Sequence, residues 1–253
     1  MATQNGVTAP SSNWTPSIDQ ALANLLLAKL QQAERSLLLD QAELVELNNA
    51  QVLVRAGQPL SHAFFPTNCM ISLLSKPSTA RCLEVGQIGF EGVLGASSAL
   101  GVSASAFDAV VTGAGQAWRM PLAVLRAQCL QSQYLSVLMV RYLYTELGQM
   151  GALAACGQFH VQEQRLARLL LMCQDRMRVA DLEVTHESLA RVMGVRRASV
   201  TLLAGLFQRR HLIHHRRGHM VVLDRAGLQA TACSCYAQDL AFYEQVMSEK
   251  WPP

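Results

Sequence analysis

Between residues 185 and 225 the chain concentrates eight arginines: Arg191, Arg196, Arg197, Arg209, Arg210, Arg216, Arg217 and Arg225. Only Glu187 and Asp224 oppose them, and five of the seven histidines lie in the same stretch. The whole chain carries a formal net charge of only +3, so the charge is local rather than general. A cationic surface of this kind suits a polyanion, because neutralising phosphates releases their condensed counterions. A solvated charged face is the plainer reading of charge alone, and spacing has to decide between them. Other chemistry is not signalled. There is no Ser/His/Asp or Cys/His arrangement on a recognisable scaffold, no phosphate loop and no convincing pair of carboxylates. The glycines of 86–95 do not open onto a helix as dinucleotide binding requires. The expectation is a protein that is not an enzyme.

The spacing from Thr185 to Val200 is more specific. Thr185 is a good N-cap and Glu187 complements the positive end of the helix that follows. Ala190 is small where two helices must approach, Gly194 can take the left-handed conformation of a tight turn, and Val195 can plug the corner. Val200, Leu203 and Phe207 then mark the buried face of a second helix. This is the pattern of a helix-turn-helix. It places Arg196, Arg197 and Ser199 at the start of the second helix, where base edges are read. From Leu212 to Leu223, two short strands flank an Arg-Gly turn and predict a β-hairpin wing. Thr185, Arg191, Arg209, Arg210, His215, Arg216 and Arg217 are the candidates for contact with a nucleic-acid backbone, which positions without reading sequence.

Cysteine and histidine offer a second chemistry. Cys156, Cys173, Cys233 and Cys235 can converge on a metal or form a redox switch, whereas free cysteines commonly serve as small core hydrophobes. In the wing, His211, His214, His215 and His219 can share a face as metal ligands; cationic residues beside phosphates are the simpler explanation. Seven cysteines without a regular framework fit a reducing compartment.

Outside these segments, residues 1–19 read as a flexible tail, and residues 17–47 show helix-like leucine spacing that includes Leu44 and Leu47. From 48 to 120, short apolar stretches (52–54, 63–65, 70–74 and 109–111) alternate with turn residues, and Gly57-Gln58-Pro59 and Lys76-Pro77-Ser78 are turn candidates. Many short strands at this spacing predict a small antiparallel barrel or jelly roll. Pro121 opens a short helix with Leu122, Leu125 and Leu130. A longer one follows over about 132–155, with an apolar stripe that suits a homodimer seam as well as packing on its own barrel. Another helix, His160–Arg178, turns Leu166, Leu169, Leu170 and Cys173 inward. No apolar run reaches membrane-spanning length and no signal peptide is present, so a cytoplasmic protein without membrane contact is expected.

Taken together, the Leu189–Val200 segment, the Gln164–Leu170 stretch, Phe64-Phe65-Pro66, the run Val85–Gly92 and the tail Ala232-Cys233-Ser234-Cys235-Tyr236 resemble the Crp/Fnr family of bacterial regulators. The resemblance covers nearly all of the chain beyond the first 20 residues. It implies an α+β fold: an N-terminal cyclic-nucleotide-binding-like double-stranded β-roll, here 20–130, a long dimerisation helix at 131–156, and a C-terminal winged helix-turn-helix domain at 157–253. It further implies a homodimer on double-stranded DNA with a pseudo-palindromic operator, acting on transcription with RNA polymerase as partner. A candidate effector pocket falls at Gly89, Glu91, Gly92 and Ser105.

Two departures from the family pattern matter. The arginine that clamps the cyclic phosphate in cyclic-AMP-responsive members has no counterpart, since no Arg or Lys lies between Arg81 and Arg119. A buried phosphate needs a compensating cation or several donors, so cyclic AMP is not expected. Ala198 stands where many members carry a glutamate that accepts from cytosine, so a changed operator base pair is expected. The N-terminal cysteine group of iron–sulfur members is missing, His62 is the only roll histidine, and no haem signature is present; the cofactor stays unknown. Effector-independent DNA binding and a sensor whose output is protein–protein contact remain open alternatives.

Overall fold

The computed structural model describes residues 22–78 and 81–249. The expected tail at 1–19 lies outside the described residues.

Two short helices, α1 (Leu25–Lys29) and α2 (Gln32–Leu39), open the described chain. Asn24 starts α1: its side-chain oxygen accepts from the amides of Leu26 and Leu27. Its Nδ2 donates to the carbonyls of Pro66 and Gly92, each at 2.9 Å. A wholly buried amide with every capacity used ties this helix to the barrel at low cost. The leucine periodicity does not continue as helix beyond Leu39. Residues Glu43–Leu47 form strand β1 instead, because each residue from Glu43 to Leu47 finds an antiparallel partner between Arg119 and Gly115. Tertiary pairing overrides a short helical pattern here.

The strands β2 (Val52–Val54), β3 (His62–Pro66), β4 (Met70–Ser78), β5 (Arg81–Ile88), β6 (Asp108–Gly113) and β7 (Gly115–Pro121) complete a roll of two antiparallel sheets. Their orders are β1-β7-β3 and β2-β6-β4-β5. The expected turn at Gly57 is present, with φ of 79°. The one at Lys76-Pro77-Ser78 is not: β4 runs through these residues, and Ser78 pairs with Arg81. Between the sheets lie Phe65, Ile71, Ile88, Val111 and Met120, all essentially inaccessible.

Pro121 precedes α3 (Leu122–Gln131). Leu122 and Leu125 are buried as expected, while Leu130 points outward and is 83% exposed. Ser132 then caps α4 (Gln133–Phe159), 27 residues long, its Oγ accepting from the Leu135 amide. At 1.5 Å per residue this helix runs about 40 Å. Leu135, Leu138, Met139 and Tyr142 bury its first half in the roll core.

The second core gathers around α5 (Gln162–Met177), with the expected Leu166, Leu169, Leu170 and Cys173 all buried. Around it stand β8 (Asp181–Leu182), α6 (His186–Met193), α7 (Arg197–Arg209), β9 (Ile213–Arg216), β10 (His219–Val222), α8 (Arg225–Thr231) and α9 (Cys235–Ser248). The last helix joins both cores: Tyr236 lies in the second core and bonds Asp175, and Asp239 pairs with Arg168 of α5. Val246 and Met247 join the roll core, and Phe242 lies so close to α4 that a Cβ on Gly148 would come within 2.2 Å of its ring. Packing therefore makes α9 a tie between the second core at its start and the roll and long helix at its end.

Candidate nucleic-acid interface

Helix α6 begins at Thr185, whose Oγ1 accepts from the Ser188 amide while Ser188 Oγ accepts from the Thr185 amide, a reciprocal cap. It ends at Gly194 in the left-handed region, φ 66° and ψ 32°. There the Val195 amide donates to Ala190 O at 3.0 Å. A side chain on Gly194 would also crowd Leu83 of β5, 3.2 Å from the added carbon. Leu189, Ala190, Met193, Val200 and Phe207 fill the space between α6 and α7, and Arg165 donates to Met193 O at the end of α6. The turn, the buried valine and the small residue thus sit where their spacing placed them.

The start of α7 presents its polar face to solvent. Arg196 is the N-cap residue with no side-chain capping bond. Arg197, Ala198, Thr201 and Leu202 are exposed and Ser199 is half-buried. Leu202 is 74% exposed. Thr201 and Leu202 were not singled out by sequence reasoning, although a one-turn step along the helix from Arg197 and Ala198 reaches both.

The wing is the predicted hairpin. His219 pairs with Arg216 and Val222 with Ile213, around a turn in which Gly218 has φ of 77°. Unforeseen is a third strand: β8 pairs with β10, giving the order β8-β10-β9. Two residues proved too short to read from sequence. The His215 ring stacks on that of His186, with centroids 4.2 Å apart. Thr201 Oγ1 donates to Arg197 O and lies 3.0 Å from His186 Nδ1, which therefore donates to it. The His215 amide donates to Gln208 Oε1. These bonds lock the wing to both helices. Burial, then His215 and Arg197, push the His186 pKa below its usual value.

The candidate backbone residues divide. Arg191, Arg209 and Arg217 are exposed. Arg210 pairs with Glu163 at 2.8 Å and also donates to Thr231. Arg216 pairs with Asp181 at 2.5 Å, and His219 lies 3.1 Å from the same carboxylate. Their first task is to hold α7 and the wing in place. His215 stacks on His186 and His219 faces Asp181, and the single metal-competent group of His, Cys and acidic residues among the described residues lies elsewhere.

The candidate effector residues are separated by the fold. Gly89, Glu91 and Gly92 come together, but the room above the glycines is taken. A Cβ on Gly89 would fall 2.4 Å from Arg176 Cβ, and one on Gly92 1.9 Å from the Tyr142 hydroxyl. Glu91 itself binds Arg176 and the Gly89 amide. Ser105 donates to Phe107 O, closing its own loop. A cavity of about 620 Å³ opens instead between β5, the second half of α4, α5 and the end of α6, lined by Glu84, Gln87, Met150, Arg168, Met172 and Gly194 among others. None of the four candidate residues lines it. The sequence held no sign of this space, because it lies between four elements that only the fold brings together.

Cys69 and Cys173 are buried, and burial pushes each thiol up to about 12, as expected of small core hydrophobes. Cys173 lies beside Gln87 of the roll rather than near the other three candidate cysteines.

Among the described residues no helix is long and apolar enough to cross a membrane. Residues 164–231 match the model of the Crp-like helix-turn-helix domain. Among solved structures the chain is similar to FixK2 from Bradyrhizobium japonicum, at 10% identity and a TM-score of 0.64, covering 76% of this chain and 98% of that one. It is similar also to CLP from Xanthomonas campestris, described as a c-di-GMP-responsive global regulator, at 16% identity and a TM-score of 0.60, covering 76% and 99%. A Crp/Fnr-family transcriptional regulator from Thermus thermophilus aligns at 19% identity with a TM-score of 0.59, covering 75% and 98%. No curated protein sequence matches. The architecture is the fold these solved structures share. More particularly, the chain carries a Crp-like helix-turn-helix domain and has the Crp/Fnr fold.

Proposed function

We propose that this protein is a homodimeric, sequence-specific DNA-binding transcription regulator. The observation that carries the reading is the exposed start of α7. There Arg196, Arg197 and Leu202 are exposed on a helix braced by the wing. Arg197 and Arg196 supply the planar fork that bonds O6 and N7 of guanine, and Ser199 is the third base-reading candidate. Ala198 and Leu202 offer apolar contact to thymine methyls and cannot accept from cytosine. Thr185, Arg191, Arg209 and Arg217 reach phosphates, with Arg210, His215 and Arg216 behind them as supports. Footprinting and binding titration on the protein's own promoter test this: Arg197→Ala is expected to weaken binding and relax sequence preference. Unchanged affinity and selectivity would reject the role.

The seam of the dimer is assigned to 131–156. Val140, Tyr144 and Leu147 remain 40%, 57% and 65% exposed along α4, an apolar row whose cover a second α4 supplies. A two-fold pair would meet half-sites roughly 34–36 Å apart. The regulator works in the cytoplasm, with RNA polymerase as its partner. Its signal enters through the roll or the cavity beside β5, since the turn of the helix-turn-helix rests on Leu83. Cyclic AMP is not the signal in this reading, because Arg176 and Tyr142 fill the space above Gly89 and Gly92.

A further inference from the structure

The end of α4 and the segment before α9 bring four metal-binding side chains together. Cys156 lies in the last turn of α4, and His160, four residues on, is the residue that ends it. Cys233 and Cys235 flank the start of α9. Cys156 Sγ is 3.5 Å from Cys233 Sγ, and Cys235 Sγ is 3.5 Å from His160 Nδ1. All four ligand atoms lie within 4.8 Å of one another. A tetrahedral zinc ion with Zn–S of about 2.3 Å and Zn–N of about 2.0–2.1 Å sets neighbouring sulfurs about 3.8 Å apart, and sulfur and nitrogen about 3.6 Å apart. The side chains therefore stand at nearly the spacing that the ion would impose.

We propose that Cys156, His160, Cys233 and Cys235 form a structural zinc site at the hinge between the long helix and the DNA-reading head. The donor set of three thiolates and one imidazole is closed and sulfur-rich, which selects zinc over magnesium or calcium. The three sulfurs are buried to within 6% exposure and form a small cluster of their own, apart from both large cores. Filling a core does not require a histidine nitrogen among them. Three thiolates on a divalent ion leave one net negative charge. The buried guanidinium of Arg168 acts on Cys156 and Cys235, and its ion pair with Asp239 ties the group to α9.

The site has a mechanical meaning. It joins the last turn of α4, the break at His160 that leads into α5, and the stretch between α8 and α9. An ion there fixes the angle at which α5 leaves α4, and so the position of the head. That consequence rests on the DNA-binding reading; the metal site does not.

The test uses the full-length chain, purified under reducing conditions without chelator. Elemental analysis is expected to find close to one zinc per chain. Cobalt replacing it should give the intense visible d–d bands of a tetrahedral site together with sulfur-to-cobalt charge transfer. C233S and C235S should each lose most of the zinc, C82S should keep it, and H160C should keep it with an altered cobalt spectrum. Far-UV circular dichroism identifies any variant that fails to fold, and the cobalt titration of the unaltered chain stands independently of the variants. A chain without zinc that leaves added cobalt octahedral would overturn the proposal. So would zinc content unchanged in the C233S/C235S double variant. Each readout is made without DNA, so failure of the site and failure of the DNA-binding reading are told apart.

Discussion

Arg176 and Glu91 form an ion pair, Nε to Oε1 at 3.0 Å, between the helix that begins the helix-turn-helix half and the glycine-rich turn of the roll. Around this pair the contacts continue. Tyr243 of α9 donates to Glu91 O at 2.7 Å, and the Arg178 guanidinium lies 3.6 Å over the Phe90 ring. The turn that the sequence marks as an effector pocket is thus the place where the head grips the roll. A grip at this point gives the roll a direct means of setting the head.

Both partners of that pair are buried, with side-chain exposures of 7% and 12%. Removing one leaves a charge without its counter-ion, which costs about 3–5 kcal/mol. Arg176→Met should therefore lower stability strongly in urea unfolding, and the double variant with Glu91→Gln should recover part of the loss. Additive effects in that cycle would show that the two residues are not coupled.

At the interface, Arg197→Ala should weaken operator binding by about 1–3 kcal/mol and flatten discrimination at one base pair. Arg217→Ala should weaken binding to all sequences alike and reduce the salt slope by about 1. Titrations at several salt concentrations separate the two; equal behaviour of the variants would contradict the division of roles.

Gly194 holds a left-handed conformation and faces Leu83 at close range. Gly194→Ala is expected to cost about 1–2 kcal/mol from backbone conformation alone, with further loss where the methyl meets Leu83. Thermal unfolding of the full chain measures it, with Gly57→Ala as a comparison that meets no neighbour. A Gly194 variant no worse than the Gly57 one would remove the claim that the turn rests on β5.

Glu84 is buried in β5, and burial pushes its carboxyl up to about 7, against hydrogen bonds from Ser72 and Gln87 that act the other way. The folded chain then holds a proton that the unfolded chain releases above 4.5. The stability contributed is complete below that value and is lost as pH rises through about 7. Glu84→Gln should flatten this decline, seen as thermal midpoints that diverge from the unaltered chain between about pH 5 and pH 8. Parallel curves would show that Glu84 is ionised in the folded protein.

Sequence alone determined what is local. Thr185 as a cap, Gly194 as the turn, Val200 and Phe207 as the buried face and the hairpin around Gly218 are all set by neighbours within a few positions, and each stands where the spacing put it. The same holds for α5 and for most of the roll strands. Tertiary structure decided what depends on distant partners. Leu44 and Leu47 follow a helical pattern yet form β1, because β7 offers them a full ladder. Residues 235–248 follow the head in sequence, yet Phe242 and Val246 pack on α4 and the roll. No arginine lies between 81 and 119, yet Arg176 arrives beside Glu91 from 85 positions away. Cys173 looked equivalent to Cys156, Cys233 and Cys235, but only the fold shows that His160, not Cys173, completes their group. A periodic pattern reports which face of an element is apolar; which surface that face will meet is settled only when all the elements compete for the same core.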